Sequence, residues 1–329
     1  MAEPSKPQWI YEESFGEKRA LLIENDQIVA ARLHWHSKVC AGTIAQAKVI
    51  SRRRASSRGT CLTASPEAGH EVLVPDLPTN ASEGSEVRLI IHREPMAERG
   101  RLKRAHGRYL GDHSASETAP NQDVLTKGEH TRRLPAGMWE DVWSLAAEGS
   151  LAFDGGSLVI TPAPAMTLID IDGSGSAREL ALAAIPAIAK AVRWLNLGGS
   201  IGIDFPTVQA KQDRKAIDAA LDEALGDWPH ERTAINGFGF VQLVARLEIP
   251  SLLHRLTFSR TKACARYVLR QAARAQGHGT LLVTCHPTIK SAIEPAWMTE
   301  LEQSTGKQVR IETDPSLALE AGFAQIIER

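Results

Sequence analysis

The sequence predicts a mixed α+β / α/β chain, β-rich in its first third and alternating strands with helices from residue 138 onward. Three observations predict it. Between Gly42 and about Leu110 the apolar residues come in short runs with no helical period, separated by Gly, Pro and Ser clusters. From Met138 the pattern changes to longer segments of helical period set between apolar strands. The 43% hydrophobic and 23% charged content of the 329 residues excludes global disorder and leaves room for two or three small domains.

In order along the chain, KRALLIENDQIVAARL reads as a hairpin, two strands about the turn Glu24-Asn25-Asp26. TIAQAKVIS, TCLTA, HEVLVP and SEVRLIIHRE are short strands, and so many in under 70 residues suggest a small barrel, of which the OB-fold is one common form. Residues 111–135 are polar and aperiodic, as a linker is. MWEDVWSLAAEG is a short helix, GGSLVITP and AMTLIDID are strands, and residues 177–196 form a long helix with Pro186 inside it. SIGIDF follows as a buried strand, VQAKQDRKAIDAALDEAL as an amphipathic helix and RTAIN as a strand. KACARYVLRQAARAQG is a helix, GTLLVTCH a strand, and QVRIET the last strand.

Charge and cysteine content exclude several classes. With 38 Lys+Arg against 39 Asp+Glu the chain is near neutral, so nucleic-acid binding would need a local patch. No apolar run approaches the roughly 18 residues of a membrane span, and Met1 to Gln8 carry no signal-peptide core. Cys40, Cys61, Cys264 and Cys285 stand far apart, against a disulfide framework or a four-cysteine zinc site. The expectation is a reduced, cytoplasmic protein.

The sharpest feature is TLIDIDGSGSAREL followed, one helix later, by SIGIDF. A strand, a crossover helix and a second strand form a βαβ unit with parallel strands, whose carboxyl ends lie on one sheet edge. Asp170 and Asp204 should therefore lie close together, where ligands of open α/β sheets bind. Converging carboxylates without nearby His or Cys favour magnesium, with manganese as the alternative, and such a cation suits phosphodiester hydrolysis. The bland reading is that Asp170 and Asp172 begin a turn and Asp204 caps the next element. A third reading, a phosphate cradle at Gly173–Ser176, lacks the lysine of a P-loop. Ser176 and Glu179 are spaced as a capping box.

These residues resemble the ribonuclease E/G family of endoribonucleases. GGSLVITPAPAMTLIDIDGSGS is similar to that family's G-G-x-L-V-I-E-x-T-E-A-L-x-x-I-D-V-N-S-G, and LNLGGSIGIDF to its L-R-D-L-G-G-x-I-V-I-D-F. INGFGFVQLVARLEIPSLL resembles its I-S-R-F-G-L-L-E-M-T-R-Q-R-L-R-P-S-L, and the tail from Val283 is similar to the ends of shorter members. The resemblance implies RNase H-like strands at 9–38 and an OB-fold RNA-binding barrel at 39–110. It implies a polar linker at 111–136 in place of a 5′-monophosphate sensor, and an RNase H-like remainder at 137–165. A DNase I-like catalytic subdomain at 166–258 and a C-terminal α/β subdomain at 259–329 complete the implied organisation.

By the same resemblance the metal-binding aspartates fall on Asp170 and Asp204, holding magnesium to cleave single-stranded RNA. Asp172 stands where the family has asparagine, as a third catalytic residue and candidate ligand. The family's D-F-I-D reads Asp204-Phe205-Pro206-Thr207, its S-R-F-G arginine falls on Gly237, and an M-T-R-Q-R arginine falls on Ala245 beside Arg246. The cysteine pair of the zinc link is absent, only Cys264 standing in that region. No zinc and no zinc-linked dimer are expected, which leaves a monomer or a dimer of another kind.

Between Lys48 and Arg108 twelve Lys and Arg face seven Asp and Glu, a local excess of five positive charges. Lys48, Arg52, Arg53, Arg54, Arg58, Arg101, Lys103, Arg104, Arg108 and Arg246 are the candidate RNA contacts; the bland reading is a set of solvated loops. The family's two base-stacking phenylalanines fall on Leu62 and Val72, so a weaker, more salt-sensitive grip is expected. His34 and His36 share a strand face, but two ligands without a third point to packing. The function expected is a magnesium-dependent endoribonuclease without 5′-monophosphate sensing. The alternative is a catalytically weakened RNA-binding protein of the same fold.

Overall fold

A computed structural model describes residues 6–37, 39–53, 56–64, 69–111 and 128–328. The chain opens with an antiparallel meander, β1 (Gln8–Ser14), β2 (Glu17–Glu24) and β3 (Gln27–Trp35). The predicted hairpin is there, with Asn25 and Asp26 both at positive φ (49° and 58°), the two-residue turn whose twist suits paired strands. The barrel follows: β4 (Ile44–Arg52), β5 (Gly59–Thr63), β6 (Glu71–Val74) and β7 (Glu86–Arg93). A small hairpin, β8 (Met96–Glu98) and β9 (Arg101–Lys103), precedes β10 (Ala105–Leu110), which closes the barrel in the order β10-β6-β5-β4-β7. Alternation along these strands turns Val49, Cys61, Val72, Val74, Leu89 and Ile91 into its core.

The region expected to be a linker does more than connect. Residues 112–127 lie outside the described residues, but β11 (Glu129–His130) returns to pair parallel with β1. Leu134 is then buried, its N–H donating to Glu12 Oε2 at 2.7 Å.

Helix α1 (Met138–Glu148) leads into β12 (Ser150–Phe153), β13 (Gly156–Pro162) and β14 (Thr167–Gly173). Helix α2 (Ala177–Trp194) crosses to β15 (Gly199–Asp204), and α3 (Lys211–Leu225), β16 (His230–Arg232) and β17 (Phe240–Ala245) complete the unit. The six strands form one sheet, β12-β13-β14-β15-β17-β16. The expected boundary at 165/166 therefore does not divide this sheet, because β13 pairs with β14 along its whole length. Of the expected strand RTAIN only Arg232 lies in a strand, β16 beginning two residues earlier at His230, and residues 233–236 lead into the turn at 237–238. Helix α2 runs unbroken through Pro186 and buries Ile185 and Ile188 in the core. That core joins Leu21, Ala31 and Leu33 of the first sheet, Trp139 and Leu145 of α1, and Ile169, Ile201 and Ile203 of the second.

The C-terminal unit comprises α4 (Leu252–Phe258), α5 (Arg260–Ala272), β18 (Thr280–Cys285), α6 (Pro287–Ala292), α7 (Pro295–Thr305), β19 (Val309–Thr313) and β20 (Phe323–Ile327). Its sheet runs β19-β18-β20, so QVRIET is not the last strand. Phe15 and Trp297 share its core with Val268, Leu281 and Val283. A buried ion cluster ties this unit to the first sheet: Glu12 accepts from both Arg19 and Arg270, and Arg270 Nε reaches Glu17 Oε1 at 3.2 Å. Burial alone would raise the Glu12 carboxyl, but Arg19 and Arg270 hold it below its ordinary value.

Among the described residues no helix is long and apolar enough to cross a membrane.

Candidate active site

Strand β14 alternates strictly, with Thr167, Ile169 and Ile171 buried and Leu168, Asp170 and Asp172 exposed. Its inner residues pack against α2, which β13, β14 and β3 all contact. Ile201 and Ile203 of β15 are buried likewise. The crossover through α2 leaves β14 and β15 parallel, and their register sets Asp170 directly opposite Asp204. Paired residues project to the same face, and neighbouring strands lie about 4.8 Å apart. The two carboxylates thus stand side by side on the sheet face away from the helices.

Asp172 lies two residues further along, on the same face, opposite Ser157 of β13 and past the end of β15. It does not complete a three-ligand cluster with the other two within 4.8 Å. Ser176 caps α2, its Oγ accepting from the Glu179 N–H at 3.3 Å and donating to Glu179 Oε2 at 2.7 Å. The positive end of that helix dipole therefore adjoins the aspartate edge. Two neighbouring carboxylates with only oxygen donors fit a hard divalent cation that keeps most of its waters.

The floor around the pair is largely apolar. Val159 lies opposite Asp170 on β13, Leu168 precedes it on β14, and both are exposed. Gly202 permits the Phe240 ring to lie across β15, because a Cβ there would meet Phe240 Cζ at 2.6 Å. Phe240 is the register partner of Asp204.

Phe238, which no motif in the sequence singles out, stands beside this floor. Its side chain is 85% exposed, yet its backbone is firmly held. Asn236 Oδ1 accepts from the N–H groups of Phe238 (2.9 Å) and Phe240 (3.0 Å), and Thr207 Oγ1 donates to the Phe238 carbonyl at 3.3 Å. Gly239, at φ 94°, brings its backbone so close to Phe205 that a Cβ would sit 2.2 Å from the carbonyl oxygen. The signal was present in Asn236-Gly237-Phe238-Gly239, turn chemistry enclosing one aromatic residue.

The candidate RNA contacts divide. Lys48 is exposed on β4, in register with Leu62 of β5, and Arg53 and Arg58 are exposed where β4 passes to β5. Arg54 lies outside the described residues. Arg52 turns inward, its Nη1 donating to the carbonyls of Pro78 (2.7 Å) and Ala81. Arg101 and Lys103 pair with Glu98 at 2.6 and 3.4 Å, and Arg104 pairs with Glu71 at 2.9 Å. Arg108 is half-buried on β10. Such surface pairs are worth about 0–1 kcal/mol, so phosphates can compete for their cations. Val72 is fully buried and cannot stack on a base, whereas Leu62 faces outward. Arg246 is not brought to the aspartates. It pairs with Glu248 at 2.8 Å, just past Ala245, which faces Gly199 at the opposite end of β15 from Asp204.

Comparison with known proteins places the similarity over this sheet. Residues 144–246 match the model of the Ribonuclease E/G family. The chain is 28% identical over 190 residues to ribonuclease G of Salmonella typhimurium (strain SL1344), covering 49% of this chain and 39% of that protein. Ribonuclease G of Escherichia coli (strain K12) is 27% identical over the same extent. The match thus spans well under half the length of these relatives.

Proposed function

We propose, from the premise that the chain belongs to the ribonuclease E/G family, that it is a magnesium-dependent endoribonuclease acting on single-stranded RNA. The observation that carries this reading is the in-register pair Asp170 and Asp204 on an open sheet face. These two carboxylates would hold the cation, with Asp172 near enough along the strand to accept hydrogen bonds from its waters. A cation bound there lowers the pKa of its water and neutralises charge building on the phosphate.

Val159, Leu168 and Phe240 offer ribose and base edges an apolar bed, and Phe238 offers a flat, preset face on which a base stacks. The barrel is read as an OB-fold, supported by its order, in which the first three strands are neighbours and β10 pairs parallel with β6 and antiparallel with β7. Lys48, Arg53 and Arg58 would track the phosphates there, with Arg101, Lys103, Arg104 and Arg108 beside them. Cleavage is expected to be indifferent to the 5′ end.

The test is cleavage of 5′-hydroxyl and 5′-monophosphate oligoribonucleotides, with magnesium and with chelator, by wild type, Asp170→Asn and Asp204→Asn. Magnesium-dependent cutting is expected, equal on both ends and lost in both variants. RNA that is bound but never cut would leave an RNA-binding protein in place of the nuclease.

A further inference from the structure

His34 and His36 share one face of β3, and only the fold can supply them with further ligands. His36 is engaged elsewhere, 3.1 Å from Glu13. His34 is not. Cys40 lies in the segment entering the barrel, and Glu94 follows β7, ahead of the β8–β9 hairpin. His34 Nε2 is 3.5 Å from Cys40 Sγ, while Glu94 Oε1 lies 3.7 Å from the other ring nitrogen, Nδ1, so only one of these two contacts is made through the nitrogen that would bind a metal. One ligand atom from each of the three residues lies within 4.8 Å of the others, the single such group among the described residues.

We propose that His34, Cys40 and Glu94 bind a zinc ion that fastens the barrel to the N-terminal sheet. Zn–S near 2.3 Å and Zn–N near 2.05 Å at a tetrahedral angle place sulfur and nitrogen about 3.6 Å apart, close to the observed spacing. Thiolate, imidazole and carboxylate together select zinc over magnesium, which demands oxygen ligands. The site is enclosed, with the His34 and Glu94 side chains 15% and 5% exposed and Cys40 buried. Glu94 Oε1 is buried and makes no hydrogen bond among the described residues, while the Ala41 N–H lies near enough to the carboxylate to favour its charged form. Arg255 Nη2 holds the other oxygen, Oε2, at 3.1 Å, the outer contact that orients a carboxylate ligand.

On binding, the Cys40 thiol, whose sulfur lies 2.8 Å from the Ser37 carbonyl, loses its proton to solvent and the thiolate binds the ion. One thiolate and one carboxylate then balance the two positive charges, and water takes the fourth position. The three ligands come from β3, the barrel entry and the segment between β7 and the β8–β9 hairpin, so the ion would set the barrel's orientation on the first sheet. This site is separate from the aspartate pair and does not rest on the ribonuclease reading.

The test uses the full chain, stripped with chelator, reloaded by dialysis with zinc or cobalt, and measured by elemental analysis and absorption. The expected result is one retained zinc per chain and a thiolate-to-cobalt charge-transfer band in wild type. Cys40→Ser and His34→Gln should each weaken binding beyond the roughly 10–100-fold cost of losing an outer partner. An Asp170→Asn, Asp204→Asn double variant should keep the band. The wild-type band needs no variant to fold. No retained zinc, cobalt loading without the thiolate band, or a Cys40 or His34 variant that binds as tightly as wild type would overturn the assignment.

Discussion

Phe238→Ala separates RNA contact from folding more cleanly than any other change on this surface. Burying a phenylalanine fully is worth up to about 3 kcal/mol, but this side chain is 85% exposed. Truncation should therefore cost no more than about 0.5 kcal/mol of stability. The hydrogen bonds that shape the loop come from Asn236 and the backbone, and all of them survive. A lost stack is worth about 1–3 kcal/mol, which is about 5- to 150-fold in affinity. Anisotropy of a labelled single-stranded oligoribonucleotide reads the binding, and urea unfolding reads the stability. Phe238→Trp should bind at least as well as wild type, and Phe238→Leu should behave like the alanine variant. Unchanged RNA affinity in Phe238→Ala, with the protein folded, would refute the stacking role.

Two further perturbations follow from backbone and charge. Gly239→Ala would force a Cβ to within 2.2 Å of the Phe205 carbonyl at φ 94°, so a stability loss of about 1–3 kcal/mol is expected, measured by thermal melting, together with weaker RNA binding. Glu12 ionises below its ordinary value of 4.5 in the folded chain, because Arg19 and Arg270 outweigh its burial. Its contribution is complete above about pH 4.5 and fades as pH falls through the lower folded value. Glu12→Gln should remove that part of the acid dependence of urea unfolding below about pH 4.5. It should cost about 3–5 kcal/mol at neutral pH by leaving two arginines short of a partner. An unchanged acid slope would show that Glu12 does not titrate there.

Local chemistry made much of the fold legible. Asn25-Asp26 between apolar runs marked a hairpin, alternation marked four barrel strands, and Ser176 with Glu179 marked the start of α2. What escaped were elements whose existence depends on distant partners. β11 has two residues and is a strand only because β1 accepts it. β17 reads Phe-Val-Gln-Leu-Val-Ala, apolar on both faces but for Gln242, so alternation does not reveal it. The cluster of His34, Cys40 and Glu94 draws on three segments, and no spacing rule joins residue 40 to residue 94.

Strand direction, more than residue type, decides which candidates can act together. Asp170 and Asp204 are 34 positions apart, and the parallel crossover makes them neighbours. Arg246 stands in the same run of sequence as Phe238 and looked the better functional residue. β17 runs antiparallel to β15, however, so its start, not its end, meets Asp204. Six residues at about 3.4 Å each carry Arg246 some 20 Å from the aspartate edge, while Phe238, before the strand begins, stays beside it. The same geometry predicts that Arg246→Ala leaves the cleavage rate of a short oligoribonucleotide within about twofold of wild type. A large loss would mean that the bound RNA runs the length of the sheet.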